Sequence, residues 1–280
     1  MPLKELFDET LDINATQNYE LTVEMEAHSL SFCILDGIRN KFIMFRSYVP
    51  DNHKKFTPDQ LREIMYKDDF LGKSYRAIRA ILPSSRFTMI PTALYDPGKK
   101  EEYFGYNHPA EESSIILTDR LSDPDSWLLF SVFRPFSEII SEKWSLVVPQ
   151  HHLRPLFCQV NQERKHYSGF YIHAHIEPDF FNLLIFGENT LLLANSYQYR
   201  NATDIMYHIL NAFRIIGIKQ EETIVLSGHT DRFDDLSSNL MMYIRNVKFI
   251  NFSGSQTFSY VFNDIPVHRY INLFSAGNCE

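Results

Sequence analysis

The chain has 280 residues, a net charge of −8 at pH 7, 44% hydrophobic residues, 10 Gly and 13 Pro. This length accommodates two ordinary domains or one large one, and the apolar content with sparse Gly and Pro excludes a disordered chain. The acidic balance argues against nucleic acid, because phosphate binding wants a basic face.

In "LTVEM", Leu21, Val23 and Met25 alternate with Thr22 and Glu24, the period of a half-buried strand. Leu30–Leu35 is predicted as a second strand, Asp36-Gly37 as a hairpin-type turn, and Lys41–Tyr48 as the returning strand. Thr57-Pro58-Asp59-Gln60 has the residue types of a capped helix start, followed by Leu61, Ile64 and Met65 on one face. A second helical segment is predicted around Tyr75–Leu82, ending at Pro83, and "RFTMIPTALY" as a short strand interrupted by Pro91. Residues 96–112 read as a polar loop with one helical turn.

Strands are expected at Ile115–Thr118 and Trp127–Phe133, with helices at Phe136–Trp144 and Pro149–Val160. The polar stretch "NQERKHYSG" (Asn161–Gly169) divides the chain, giving expected subdomains at 1–165 and 166–280. The opening pattern then recurs. "FYIHAHI" alternates, "EPD" turns, Phe181–Phe186 and Leu191–Ser196 form a hairpin, and an amphipathic helix carrying Ile205, Met206, Ile209, Leu210 and Phe213 ends at Gly217. "TIVLSG" reads as a buried strand, Asp234–Val247 as a helix, Lys248–Phe252 as a strand and Pro266–Phe274 as a closing helix. Each half thus begins with three antiparallel strands and continues in alternating helix and strand, a mixed-sheet α/β organisation.

Cys33, Cys158 and Cys279 are widely spaced without C-x-x-C, which is no zinc-ribbon signature. "MPLKELFDETLD" lacks an apolar signal core, and no run approaches the ~18 apolar residues of a membrane span. A soluble, cytoplasmic protein is expected.

The segments "LSFCILDGIRNKFIMF", "FTMIPTALY", "FNLLIFGENTLLLANSYQYRNATDIMYHIL", "IVLSGH" and "VHRYINLF" carry a resemblance that spans nearly the whole chain. It resembles an uncharacterised bacterial family, a domain of unknown function with the actin-like ATPase fold. That fold is the duplicated ribonuclease-H-like architecture of actin, sugar kinases and pilus-assembly ATPases. The resemblance implies two ribonuclease-H-like subdomains and, in active members, an Asp-x-Gly phosphate loop at the first turn of each half. Here the first such turn is "VEMEAHSLSF", where Glu24 stands in the Asp position and Glu26 in the Gly position. A bulky anion there crowds and repels phosphate. The second, "HAHIEPDFF", lacks glycine and contains Pro178, which has no N–H. Of the Gly-Gly pair on the adenosine side, "VLSGH" keeps Gly228 and puts His229 in the second place.

Other constellations are weaker. His173-x-His175 puts two imidazoles on one strand face, preceded by His151-His152, but no third ligand has metal-site spacing, so a structural or solvent-facing role is favoured and no metal is expected. Glu24, Glu26 and Glu177 could supply carboxylates for nuclease-type metal chemistry, against which stands the absence of a basic stripe. Ser227 lies near a histidine, but "LSGHT" is not G-x-S-x-G.

The leading expectation is therefore a catalytically degenerate actin-like protein that binds a protein or peptide partner, with no cofactor. Its candidate cleft positions are Glu24, Glu26, His175, Glu177, Gly228 and His229. The rivals are an ATPase or kinase with atypical phosphate loops and a carboxylate-metal nuclease. Homodimerisation is compatible with the sequence and not visible in it.

Overall fold

The computed structural model describes residues 2–51, 54–188 and 190–279. In chain order the main elements are β1 (Lys4–Phe7), β2 (Tyr19–Met25), β3 (Leu30–Asp36), β4 (Lys41–Tyr48), α1 (Pro58–Lys67), β5 (Ala77–Leu82), β6 (Phe87–Pro91), α2 (Lys100–Gly105), β7 (Ser114–Leu121), β8 (Ser126–Phe133) and α3 (Arg134–Lys143). There follow β9 (Gln150–His151), α4 (Leu153–Glu163), β10 (Tyr171–Ile176), β11 (Phe180–Phe186), β12 (Leu191–Gln198), α5 (Ala202–Ile216), β13 (Thr223–Gly228), α6 (Asp235–Leu240), β14 (Asn246–Phe249), β15 (Thr257–Phe258) and α7 (Ile271–Ser275). They form two compact units. The first comprises Met1–Leu156, Gly254–Ile265 and Asn272–Glu280; the second comprises Phe157–Ser253 and Pro266–Ile271.

In the first unit a sheet runs in the order β1-β4-β3-β2-β5-β9, with β15 pairing parallel to β4. β2, β3 and β4 are antiparallel, and after α1 the chain returns as β5, parallel to β2. β3 is buried along its whole length, as a central strand covered on both faces must be. α1 starts with the reciprocal Thr57–Gln60 capping box and buries Leu61 and Met65. At its end Asp68, itself buried, accepts from Arg46 Nη1 at 2.6 Å and from Tyr48 Oη at 2.7 Å. The antiparallel trio β6-β8-β7 forms a separate small sheet.

Two sequence expectations change. Tyr75–Leu82 is not helical: Ala77–Leu82 is strand β5. A run as short as six residues, mostly apolar with Arg79 inside it, has no periodicity that separates strand from helix, and here pairing with β2 decides. The helix expected over Asp234–Val247 is confined to Asp235–Leu240, after which the chain turns into β14.

The second unit repeats the plan in a five-stranded sheet ordered β12-β11-β10-β13-β14. β10, β11 and β12 are antiparallel, α5 follows, and β13 returns parallel to β10. The core lies between the sheet and its helices, built from Ile172, Ala174 and Ile176 of β10, Leu183 of β11, Ile205 and Ile209 of α5, and Leu236 of α6. Asn201 caps α5 by accepting from the Thr203 and Asp204 N–H groups, and Gly217 closes it at φ +82°. Replacing Asn201 with alanine is expected to cost about 1 kcal/mol in urea unfolding, since the Thr203 and Asp204 N–H groups lose their acceptor. No described helix is long and apolar enough to cross a membrane.

Candidate functional site

The chemistry-bearing residues of the second unit gather on β10 and β13. In their parallel register His175 lies opposite Ser227, and Ile176 opposite Gly228. Strand alternation sends Ile172, Ala174 and Ile176 into the core and leaves His173 and His175 together on the other face. That face is not solvent: His173 and Ser227 are 0% exposed and His175 1%. The solvent-facing alternative for the two histidines therefore does not hold.

Ser227 Oγ sits 2.8 Å from His173 Nε2 and 2.6 Å from His175 Nδ1. The other nitrogen of His175, Nε2, lies 3.0 Å from Glu177 Oε1. The result is a linear chain, Glu177–His175–Ser227–His173. A hydroxyl has one hydrogen to give, so one imidazole accepts from Ser227 and the other donates to it. His173 Nδ1, at the far end, is buried without a partner.

Burial pushes the Glu177 carboxyl well above its ordinary value of 4.5. The same burial holds His175 and His173 well below the ordinary imidazole value. Burial thus disfavours the charged form of each group. With the carboxyl proton on Oε1, each link donates toward His173 and Nδ1 there carries a hydrogen; with that proton removed, the links reverse and Nδ1 is bare. This sequence of atoms resembles a serine-hydrolase relay. Ser227, however, is enclosed between two imidazoles and has no exposed surface, so its hydroxyl connects the rings and reaches no substrate.

Gly228 has a packing reason to be glycine. Its φ is +82°, and a Cβ built there would lie 2.1 Å from the carbonyl oxygen of Ile176. That oxygen accepts from His229 N–H at 2.7 Å. The following loop is fixed by further bonds: His268 Nε2 lies 2.9 Å from the Thr230 carbonyl, Arg269 Nη2 lies 3.2 Å from His229 Nδ1, and Thr230 donates to Asp234 Oδ2 at 2.6 Å.

The remaining candidates belong to the first unit. Glu24 is in β2, opposite Ser31 of β3, and Glu26 is in the turn that follows. That turn closes on itself: Glu26 N–H donates to the Ser29 carbonyl at 2.9 Å, and Ser29 Oγ donates to Glu26 Oε1 at 3.0 Å. Asp36, beside Gly37, spends Oδ1 on the N–H groups of Ile38 and Arg39, a turn-stabilising role. His151 is also structural, with Nε2 3.0 Å from the Ser84 carbonyl and Nδ1 accepting from Leu153 N–H.

A family model described as "Protein of unknown function (DUF3822)" matches residues 8–247. The chain belongs to this family. A Bacteroides thetaiotaomicron protein described as having an actin-like ATPase fold and unknown function is 20% identical, with a TM-score of 0.79, over 97% of this chain and 100% of that one. PilM, solved as a PilM–PilN type IV pilus biogenesis complex, is 10% identical, with a TM-score of 0.61, over 93% of this chain and 98% of the other. No curated protein matches. This DUF3822 chain therefore has the actin-like ATPase fold, with three consecutive antiparallel strands, β2-β3-β4 and β10-β11-β12, in each of its two larger sheets.

In the DUF3822 chain, the sequence pointed to His173, His175, Glu177, Ser227 and Gly228 but not to Ser227 as the residue that joins the two histidines. Ser227 enters the network through parallel pairing of β10 with β13, some 50 residues apart in sequence. The usable signal was the match between two strands of alternating polarity, H-x-H and L-S-G, that this topology must make neighbours.

Proposed function

We propose that this chain is a catalytically degenerate actin-like protein that acts by binding a protein or peptide partner without turnover. The observation that carries the reading is the turn after β10. There Glu177 donates its N–H to the Phe180 carbonyl at 2.8 Å, Pro178 has no N–H, and the Glu177 side chain is buried on His175. A phosphate placed at this turn would find these backbone donors spent or absent. The self-closed Glu26–Ser29 turn supports the same reading in the first unit. Glu24 and Glu26 in the first unit, and His175, Glu177, Gly228 and His229 in the second, then stand at turns that have each lost the residues a phosphate needs. That PilM, of the same fold, is known in a complex with PilN supports a binding role.

Calorimetric titration of the full chain with Mg·ATP tests this. No heat of binding is expected. Micromolar binding would overturn the reading, and its loss in His229→Ala would place the nucleotide beside β13.

A further inference from the structure

Strand β12 pairs with β11 on one side and forms an edge of its sheet. Natural edge strands are commonly guarded by shortness, proline or charge, lysine above all. The opposite edge, β14, follows that rule: it has four residues, including Lys248. β12 does not. Its eight residues, LLLANSYQ, contain no charge and no proline, and Leu192 is 47% exposed. The N–H of Ser196 is held at 2.9 Å by the carboxamide of the preceding Asn195. A backbone donor satisfied by its own neighbour's side chain is one turned away from β11, toward the open edge.

We propose that β12 is a homotypic interface, pairing antiparallel with β12 of a second copy about a two-fold axis to make one continuous sheet. The self-complementarity of the strand argues for a second copy as the occupant. A two-fold axis normal to the sheet keeps each face on its own side, so opposed residues must point the same way and the axis must pass through a residue. Centred on Asn195, the register sets Leu193 against Tyr197 of the partner subunit, Ala194 against Ser196 of the partner subunit, and Asn195 against its own equivalent. Apolar meets aromatic, small meets small, and amide meets amide. Centred on Ala194, the same operation would set Leu193 against Asn195 and lose that match. Leu193 and Tyr197 already pack against the buried core of the unit, so the interface would continue an existing apolar layer. In this arrangement the Ser196 N–H exchanges its side-chain acceptor for a backbone carbonyl across the axis.

The interface is independent of the partner binding proposed above; nucleotide calorimetry tests that reading and sedimentation tests this one. The full chain at micromolar concentration is expected to sediment at twice its chain mass. Asn195→Lys and Asn195→Asp each put like charges face to face on the axis and are expected to sediment as monomers with unchanged circular dichroism. Because Asn195 is exposed, neither change disturbs the core. Mixed in equal amounts, the two variants are expected to recover the doubled mass as a Lys–Asp pair. A wild-type chain that remains monomeric, whether alone or with a foreign peptide paired along β12, overturns the proposal. So does a dimer that persists in both variants, or a mixture that fails to associate.

Discussion

Gly228→Ala is expected to unfold the second unit or to lower its stability on the order of 4 kcal/mol or more, the range reached by few single substitutions. Two effects combine. A left-handed backbone at φ +82° disfavours any Cβ, and this Cβ would also stand 2.1 Å from the Ile176 carbonyl oxygen and 2.9 Å from its carbonyl carbon. Backbone cannot swing aside as a side chain can, so β10 and β13 would have to part at the register pair that joins them. Gly217 supplies the control. It has the same φ of +82° with nothing within 4 Å of its Cβ position. Gly217→Ala should therefore cost only about 1–2 kcal/mol for the left-handed conformation. Urea unfolding followed by circular dichroism separates the two. Equal losses in both variants would mean that the close approach at Gly228 contributes nothing.

Glu177→Gln is expected to stabilise the protein increasingly as pH rises from about 5 to 7, by on the order of 1 kcal/mol per pH unit relative to the wild type. The sign follows from burial. The native carboxyl holds its proton above the ordinary value of 4.5, whereas the unfolded one releases it. Wild-type stability from this group is thus fully present below pH 4.5 and lost as pH rises toward the native pKa. Glutamine has no proton to lose, and its carboxamide keeps a partner for His175 Nε2. The histidines favour the native state in the opposite direction, losing stability below the ordinary imidazole value, but both proteins share that dependence and the difference removes it. Stability measured at three pH values gives the slope. A flat difference with Glu177→Gln uniformly weaker by about 3–5 kcal/mol would mean an ionised Glu177–His175 pair instead.

The sequence made the repeated plan legible because the evidence of strand alternation and turn residues is local. Leu21–Met25 alternates, Asp36-Gly37 turns, and α5 carries both its cap at Asn201 and its stop at Gly217. Elements defined by distant pairing were illegible. Lys4–Phe7 and Thr257–Phe258 are strands only because β4 lies beside them, and Ala77–Leu82 is a strand because β2 does. The candidate site divides in the same way. His173 and His175 could be put on one face from their spacing, but their burial and the bridging Ser227 depend on the covering of that face. Gly228 shows the hazard of reading a motif glycine as a ligand contact when a neighbouring carbonyl occupies the space.

The placement of residues 254–265 and 272–280 has a consequence for synthesis. Gly254–Ile265 and Asn272–Glu280 belong to the first unit, where Phe258 stacks on Phe42 and Phe274 meets Phe42, Phe258 and Phe262 edge-on. Chains emerge from the ribosome amino end first, and units usually fold in that order. Here the unit begun first lacks part of its aromatic core until Phe258, Phe262 and Phe274 have left the exit tunnel. Phe157–Ser253, an unbroken stretch, has emerged by then. The nascent chain thus holds Phe42 without Phe258 and Phe274 until the whole Phe157–Ser253 stretch of the second unit has been made.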